Sequence, residues 1–394
     1  MRDELTAART LPADGYAGTL VGRAWLPSAA GPAVVTLRAD GVYDISAEVA
    51  PTVSELLELE DPAGAVRRAR GQRIGDLDGL LANSDPAVRD ASRPWLLAPC
   101  DLQPIKAAGV TFVRSMLERV IEEQCKGDPA RATAIRAQVG ELIGGELHGL
   151  KPGSPAADRL KRLLIERGAW SQYLEVGIGP DAEIFTKAPP MSAVGTGAEI
   201  GVHPRSTWNN PEPEVVLAVD SRGRIQGATL GNDVNLRDFE GRSALLLGKA
   251  KDNNGACAIG PALRLLDGSF DLDAIRRIEV QLDITGADGF RLAGRSSMAE
   301  ISRDITELVA QTIGPTHQYP DGVMLFCGTM FAPAEDRDEA GRGFTHKPAD
   351  IVRIAAEPLG ALVNRVGTSD KIAAWRFGVG ALMRSLARRG LLVA

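Results

Sequence analysis

Three acidic residues near the middle of the chain have the spacing to share a cation. Glu212 and Glu214 lie two positions apart, so on a β-strand their side chains leave the same face, roughly 7 Å apart. The chain then reaches Arg222 and Gly223, which predict the two-residue loop of a β-hairpin. A hairpin centred there places Asp233 opposite Glu212. The sequence therefore predicts that three carboxylates converge.

The chemistry suited to such a cluster is the binding of a divalent metal. Clustered carboxylates repel one another unless a cation neutralises them, and hard oxygen ligands select Mg²⁺, Mn²⁺ or Ca²⁺ over Zn²⁺. We predict Mg²⁺, with Mn²⁺ as a substitute. The alternative is that the acids are ordinary solvated residues around a hairpin. A polar set beside the small-residue run GACAIGP favours a site: Asn232, Arg237, Asp238, Lys249, Lys251, Asp252, Asn253 and Asn254.

Composition argues against several other functions. The net charge of -6 offers no positive field for a nucleic acid, and no stretch approaches the roughly 18 apolar residues of a membrane helix. His148, His203, His317 and His346 do not stand at metal-ligand spacing, which argues against zinc. The first residues lack a secretory signal and the four cysteines form no paired motif. We therefore expect a cytoplasmic protein with buried thiols.

The first half of the chain predicts a small sheet followed by helices. Residues 15–45 contain short strand-like runs between turn signals, and helical spacing begins at the cap residue Thr52. Residues 1–98 are therefore interpreted as an N-terminal domain. Between Phe112 and Trp170, three amphipathic helices are predicted in VRSMLERVIEEQ, PARATAIRAQVGELIG and AADRLKRLLIERG.

The second half predicts strands. Beyond Glu183, β-branched runs are separated by Gly, Pro and Asp turns, so the fold class is mixed α+β and mainly β. The last segment predicts one amphipathic helix that opens at Ser369 and packs on the chain itself or on a neighbouring subunit. The apolar face of that helix consists of Ile372, Trp375, Val379, Leu382 and Leu386.

The acidic residues described above and several short motifs around them resemble the pattern of the fumarylacetoacetate hydrolase superfamily. The matching segments, between about residues 98 and 366, are Glu212-Pro213-Glu214, GNDVNLRD at 231–238, Lys251 followed by Gly260-Pro261, Phe185-Thr186-Lys187, Gly328-Thr329 and LGALVNRV at 359–366. The resemblance implies a β-rich catalytic domain over residues 99–366, with a helical insert at about 119–172. A smaller N-terminal β/α domain (1–98) precedes it and a helical tail (367–394) follows it.

The resemblance also implies roles for individual residues. In that superfamily the E-x-E pair and the motif aspartate bind Mg²⁺ or Mn²⁺, which assigns Glu212, Glu214 and Asp233 to the metal. The implied substrate is a small 2-oxo acid, and the implied assembly is a homodimer or homotetramer. Lys251 is expected near the developing oxyanion. Residues expected to contact the substrate or to order the metal's surroundings are Arg114, Ser115, Lys187, Arg237, Asn254 and Thr329.

Two departures from the family pattern bear on the reaction. The hydrolases carry G-x-N-Y-x-x-H-x-x-E, whose His and Glu activate water; here Ser115 replaces the histidine and Glu118 remains. A serine without a partner base is not a general base near neutral pH. Asn254 also replaces the aspartate of K-x-x-D. The chain therefore resembles the bacterial branch that dehydrates 2-keto-3-deoxy sugar acids, for instance in WNNPEPEVVL and FCGTMFAP.

The expected reaction is dehydration of 2-keto-3-deoxy-D-xylonate or D-arabinonate to 2-oxoglutarate semialdehyde, in oxidative pentose catabolism. A metal on the C2 carbonyl acidifies C3 without an attacking water. Glu118 and Lys251 are expected to carry the protons, in either order, or Lys251 stabilises the oxyanion. The alternatives are that Glu118 is a solvated helix residue and that Lys251 is a salt-bridge partner of Asp252 or Asp233. Two other functions stay open: a metal-dependent C–C hydrolase of acylpyruvates or 2,4-diketo-3-deoxy sugar acids, and a non-catalytic binding or scaffold relative.

Overall fold

The computed structural model describes residues 1–126, 128, 131, 135, 150–166, 168–331, 333, 335–339 and 342–392. Its β-strands are β1 (Leu20–Leu26), β2 (Gly31–Arg38), β3 (Gly41–Asp44), β4 (Gln72–Gly75), β5 (Trp95–Leu97), β6 (Ile105–Gly109), β7 (Glu183–Ala188), β8 (Glu199–Val202), β9 (Asn209–Asn210), β10 (Pro213–Val219), β11 (Ile225–Asp233), β12 (Asn235–Leu236), β13 (Cys257–Leu265), β14 (Glu279–Thr285), β15 (Arg291–Ser297), β16 (Val323–Phe326), β17 (Ile351–Ala356) and β18 (Gly360–Thr368). Its α-helices are α1 (Ala7–Thr10), α2 (Val53–Leu57), α3 (Pro62–Arg68), α4 (Leu77–Ala82), α5 (Val113–Cys125), α6 (Pro155–Glu166), α7 (Gln172–Ile178), α8 (Arg237–Glu240), α9 (Leu247–Lys251), α10 (Leu272–Arg276), α11 (Ile305–Thr312) and α12 (Val379–Arg388).

One large sheet has the strand order β4-β3-β2-β1-β13-β11-β10-β16-β6-β7, with β5 also paired to β1. Neighbouring strands are antiparallel except for β16 and β6. Strand β10 is buried along its whole length, which explains its unbroken apolar run from Val215 to Val219. The hairpin that carries the three acids therefore lies in the middle of the sheet.

The N-terminal segment is part of this sheet. Strand β1 pairs with β13, where Val21 lies opposite Leu263, and β13 is also held by an ion pair of 2.6 Å between Arg264 and Asp14. Val21 packs in the same apolar cluster as Phe326 of β16. The boundary at residue 98 stays a prediction, because it divides strands that share one sheet.

A second sheet, in the order β15-β14-β17-β18-β8, packs against the first. Strand β14 shows the period of two that one buried face requires: Val280, Leu282 and Ile284 are buried and the residues between them are exposed. These side chains join Leu217 and Leu230 of the first sheet in the largest apolar cluster. This core therefore supports one face of the hairpin formed by β10 and β11.

The helical predictions are confirmed where the structure describes them. Helices α5 and α6 coincide with the first and third predicted segments, while PARATAIRAQVGELIG lies almost wholly outside the described residues. Thr52 caps α2 by accepting a hydrogen bond of 3.1 Å from the backbone of Glu55. The helical run after Thr52 is divided, because Asp61 caps a second helix that begins at Pro62.

The C-terminal segment differs from the sequence prediction. Its helix, α12, begins only at Val379. Leu382 and Leu386 of the predicted apolar face are buried, whereas Trp375 is 47% and Val379 is 40% exposed. The preceding residues are not helical because their backbone groups bind the side chain of Asn254.

Within the described part of the chain, no helix combines the length and the apolar character required to cross a bilayer. The four cysteines are free and buried, as the sequence predicts.

Candidate metal centre

The hairpin that carries the acids has the predicted register. Glu214 pairs with Gly231, and the backbone N–H of Asp233 donates to the carbonyl oxygen of Glu212 at 3.0 Å. The predicted two-residue loop is wrong. Asp220 and Arg224 close a longer turn, and a bulge between Ala218 and Val219 compensates for the extra residue, so the acids keep their alignment.

The three carboxylates meet at the end of this hairpin. Ligand oxygens of Glu212, Glu214 and Asp233 all lie within 4.8 Å of one another, and each residue is buried. Glu214 also accepts a hydrogen bond of 2.6 Å from the backbone N–H of Gly328. Buried acids at this separation are unfavourable without positive charge, and an oxygen-only donor set suits a hard divalent cation. The cluster therefore fits a metal site.

Two buried lysines supply part of the positive charge. The ammonium of Lys251 donates to Glu212 at 2.5 Å and to Asp233 at 2.9 Å. The ammonium of Lys187 lies 2.7 Å from the other carboxylate oxygen of Asp233. It also donates to the carbonyl oxygens of Lys251 and Val234, at 2.5 Å and 3.0 Å. Lys187 thereby fixes both the aspartate and the backbone of the second lysine.

The surroundings act differently on the three acids. Burial raises the pKa of Glu214 well above its usual value, and the charges of Asp233 and Glu212 add to this effect. Burial also raises the pKa of Glu212. For Asp233, burial is outweighed by Lys187 and Lys251, which hold the pKa below its usual value. Glu214 is therefore the acid whose ionisation most needs a cation.

Helix α5 brings further residues to the same cavity. Ser115 and Glu118 both line it, one turn apart as predicted. Glu118 is 9% exposed, and its carboxylate lies 3.4 Å from the guanidinium of Arg237. That guanidinium lies over the ring of Trp208 at 4.3 Å and donates to the carbonyl oxygen of Pro333 at 3.2 Å. Arg237 thus has a fixed position beside Glu118.

Three more charged residues line the cavity, and the sequence analysis did not find them. Arg119 forms ion pairs with Glu212 and, at 2.8 Å, with Glu240. Glu183 opens β7 opposite Gly109 of β6, and burial followed by the charge of Glu240 raises its pKa to about 7. The available signals were weak: Arg119 follows Glu118 on the helix, and Glu183 opens the strand of Lys187.

Comparison with known proteins identifies the part of the chain that carries this centre. Residues 174–367 match the protein family described as fumarylacetoacetate (FAA) hydrolase, C-terminal. These residues form a fumarylacetoacetate hydrolase domain. The domain contains the hairpin, both lysines and Arg237, whereas α5 precedes it.

Two curated proteins are similar to the chain over about half of its length. It is 33% identical over 190 residues to the 2-dehydro-3-deoxy-D-arabinonate dehydratase of Saccharolobus solfataricus, covering 48% of this chain and 60% of that protein. It is 31% identical over 196 residues to the probable 2-keto-3-deoxyxylonate dehydratase of Haloferax volcanii, covering 50% of this chain and 64% of that protein. The aligned part is less than two thirds of either relative.

The fold extends beyond the fumarylacetoacetate hydrolase domain. A solved structure of 2-keto-3-deoxy-D-arabinonate dehydratase, complexed with magnesium and 2,5-dioxopentanoate, matches with a TM-score of 0.61 at 21% identity. The match covers 89% of this chain and 99% of that chain. It confirms the mixed, strand-rich fold class predicted from the sequence.

Most of the residues predicted for the site reach the cavity. Those that line it are Ser115, Glu118, Glu212, Glu214, Asp233, Arg237, Lys251 and Thr329. Lys187 is fully buried behind Asp233 and does not line it. Arg114 is exposed and borders a separate groove with Lys151. Asn254 borders a different cavity beside the C-terminal segment of the chain.

Proposed function

We propose that the protein is a lyase that uses a divalent metal to dehydrate a 2-keto-3-deoxypentonate, such as 2-keto-3-deoxy-D-xylonate or D-arabinonate, to 2-oxoglutarate semialdehyde. The observation that carries the proposal is a cavity with a complete acidic triad and no histidine among its described lining residues. Such a cavity suits proton removal next to a carbonyl better than the activation of water. The two aligned relatives, both named as dehydratases of this substrate class, support it.

The charges of the cavity support a divalent cation. Six carboxylates line it, from Glu118, Glu183, Glu212, Glu214, Asp233 and Glu240. Against them stand the three lining cations Arg119, Arg237 and Lys251, with Lys187 behind Asp233. With all of these groups ionised the formal charge is minus two, which Mg²⁺, or Mn²⁺ as its substitute, cancels. Held by the triad, the cation would polarise the C2 carbonyl of a 2-oxo acid and acidify C3.

Three side chains of the cavity are suited to the chemistry of the reaction: two to proton transfer and one to stabilisation of the oxyanion. The pKa of Glu183, about 7, leaves both of its protonation states populated near neutral pH, which suits removal of the C3 proton. Glu118 is assigned as the acid that donates a proton to the departing C4 hydroxyl, which leaves as water; the resulting enol then tautomerises to the aldehyde. Burial alone would lower the pKa of Lys251, but the charges of Asp233 and Glu212 outweigh it and raise the pKa above its usual value. Lys251 is therefore protonated in the metal-free protein and is assigned to the developing oxyanion.

Substrate contacts are assigned to Arg237, Ser115 and Thr329, and the ordering of Asp233 to Lys187. The hydroxyl of Ser115 donates to the carbonyl oxygen of Phe112 at 3.0 Å, so its lone pairs can accept from a substrate hydroxyl. The hydroxyl of Thr329 accepts from a backbone N–H at 3.1 Å, so its proton can be donated to a substrate oxygen.

We also propose a cytoplasmic location and a homodimer or homotetramer. The four buried free thiols are compatible with a reducing compartment. Light scattering on the purified protein tests the assembly, and a monomer at micromolar concentration would contradict it.

A coupled assay tests the reaction. The protein is incubated with Mg²⁺ and 2-keto-3-deoxy-D-xylonate or D-arabinonate, and a 2-oxoglutarate semialdehyde dehydrogenase reports the product as NAD(P)H. We expect a signal that EDTA abolishes and that added Mg²⁺ restores. A pair of acids formed from acylpyruvates or 2,4-diketo sugar acids would instead identify a hydrolase. No turnover of either class would leave a binding or scaffold protein.

A further inference from the structure

We propose that Asn254 is a positioning residue for Lys251, and that it acts by anchoring the segment 369–377 against the loop 252–256. The inference rests on the proposed function, because it concerns the lysine that the reaction is expected to use. Asn254 stands outside the metal cavity, so its effect passes through the backbone of this loop.

The carboxamide of Asn254 binds the C-terminal segment both as a hydrogen-bond donor and as an acceptor. Its N–H₂ group donates to the carbonyl oxygens of Ser369 and Ala373, each at 3.1 Å. Its oxygen accepts from the backbone N–H of Trp375 at 3.2 Å. A carboxylate at this position could accept only the last of these bonds, because it has no donor. The asparagine is therefore required for this anchor, whereas an aspartate would repel the two carbonyl oxygens.

The packing around Ile372 fixes the same segment. Ile372 is 8% exposed and lies beside three glycines. A Cβ added to Gly255 or Gly367 would lie 2.4 Å from the isoleucine side chain, and one added to Gly201 would lie 2.9 Å from it. The space that Ile372 occupies exists because these three residues have no side chain. Gly255 belongs to the same loop as Asn254, so the segment 369–377 contacts this loop at two adjacent residues.

The anchored loop leads directly to the metal centre on both sides. It joins α9, which ends at Lys251, to β13. The carbonyl oxygen of Ala256 accepts a hydrogen bond of 3.1 Å from Val234, the neighbour of Asp233. On the opposite side, the carbonyl oxygen of Lys251 accepts from Lys187. Displacement of the loop would therefore move the end of α9 while the acids stay fixed by the hairpin.

The test compares Asn254→Asp with Asn253→Asp. Both variants add one negative charge to the same loop. Among the described residues, however, the side chain of Asn253 donates to the carbonyl oxygen of Lys249, at 2.9 Å, and makes no hydrogen bond to the segment 369–377. Ile372→Ala is a third variant that loosens the segment without any charge. For each variant we would measure kcat, KM, the dissociation constant of Mg²⁺, and hydrogen exchange of peptides that cover residues 247–257 and 369–377.

We expect Asn254→Asp and Ile372→Ala to lower kcat by about ten-fold or more, since small displacements of a reacting group cost this much. KM and Mg²⁺ affinity should change less than about two-fold, hydrogen exchange over 247–257 should accelerate, and Asn253→Asp should resemble wild type. An equal loss in Asn253→Asp would attribute the effect to charge and overturn the inference. So would faster exchange confined to 369–377 with kcat unchanged. If the wild-type protein turns over no 2-keto-3-deoxypentonate, the proposed function fails, and exchange over 247–257 alone decides the inference.

Discussion

Among the three acids of the centre, Glu214 has the least positive charge beside it. No ion pair to it occurs among the described residues, and its oxygen accepts only the backbone N–H of Gly328. Glu212, by contrast, contacts Lys251 and Arg119. A raised pKa means that the folded protein binds the proton more tightly than the unfolded chain does. The contribution of Glu214 to the stability of the metal-free protein is therefore lost as pH rises from the usual pKa of a glutamate through the raised pKa of this group.

The first prediction concerns this residue. In EDTA at pH 8, Glu214→Gln should raise the free energy of unfolding by about 1–2 kcal/mol, because a neutral amide replaces an uncompensated buried charge. The same variant should lose the increase in melting temperature that Mg²⁺ gives the wild type. Calorimetry with and without Mg²⁺ measures both effects. Glu212→Gln is the matched control and should destabilise, since it leaves Lys251 and Arg119 without their partner. A destabilised Glu214→Gln would contradict the assignment.

The second prediction concerns Glu183. As the base for the C3 proton it must be ionised, so kcat/KM should fall as pH decreases through the pKa of this group, which is about 7 in the free protein. Glu183→Gln should lower kcat by about 100-fold or more and remove that limb of the profile. Glu118→Gln should also lower kcat but keep the limb. A Glu183→Gln profile with the same acidic limb would assign the titration to another residue.

At the scale of elements, two neighbouring strands determine where Glu183 can lie. It faces Gly109 across the pair β6–β7, and a Cβ on Gly109 would lie only 1.9 Å from a carboxylate oxygen of Glu183. The end of a glutamate side chain can move aside without disturbing either strand. The glycine therefore holds space for the carboxylate, and this gives the third prediction.

Gly109→Ala should leave the fold intact but displace the carboxylate, and lower kcat by about ten-fold or more. Mg²⁺ affinity should change little, because the triad lies on another hairpin. Gly22→Ala is the control: it is also a strand glycine, but an added Cβ there meets Val35 at an ordinary 3.4 Å. Steady-state kinetics and Mg²⁺ titration measure the difference. Wild-type kcat in Gly109→Ala would show that the position of Glu183 is unimportant.

The hairpin was predictable because a local turn determines pairing over its whole length. Even with the wrong loop length, a bulge beside Val219 left Glu214 opposite Gly231, as the sequence predicted. Arg119 and Glu183 were not predictable in the same way, because tertiary packing brings α5 and β7 to the hairpin. The helix expected from Ser369 failed for a similar reason: a distant side chain, Asn254, takes the backbone groups that precede α12.

At the scale of the whole molecule, the N-terminal residues and the fumarylacetoacetate hydrolase domain share their hydrogen bonds and their core. Strand β1 supplies the neighbour of β13, and β13 is the neighbour of β11, which carries Asp233. The backbone N–H groups of Val53 and Ser54 donate to Asp101, and Arg23 lies 3.5 Å from the same carboxylate. These contacts cross the boundary predicted at residue 98.

The last prediction therefore separates an independent N-terminal domain from an integral part of the sheet. A chain that begins at residue 99 should aggregate and bind no Mg²⁺, because removal of β1 exposes the apolar edge of β13 in the middle of the sheet. Expression of residues 1–98 together with residues 99–394 should restore soluble protein, since the missing strand can pair again. Size-exclusion chromatography and Mg²⁺ titration measure the two outcomes. A monodisperse, metal-binding fragment from residue 99 would instead support the boundary predicted from the sequence, and the pairing of β1 with β13 would then be dispensable for the metal centre.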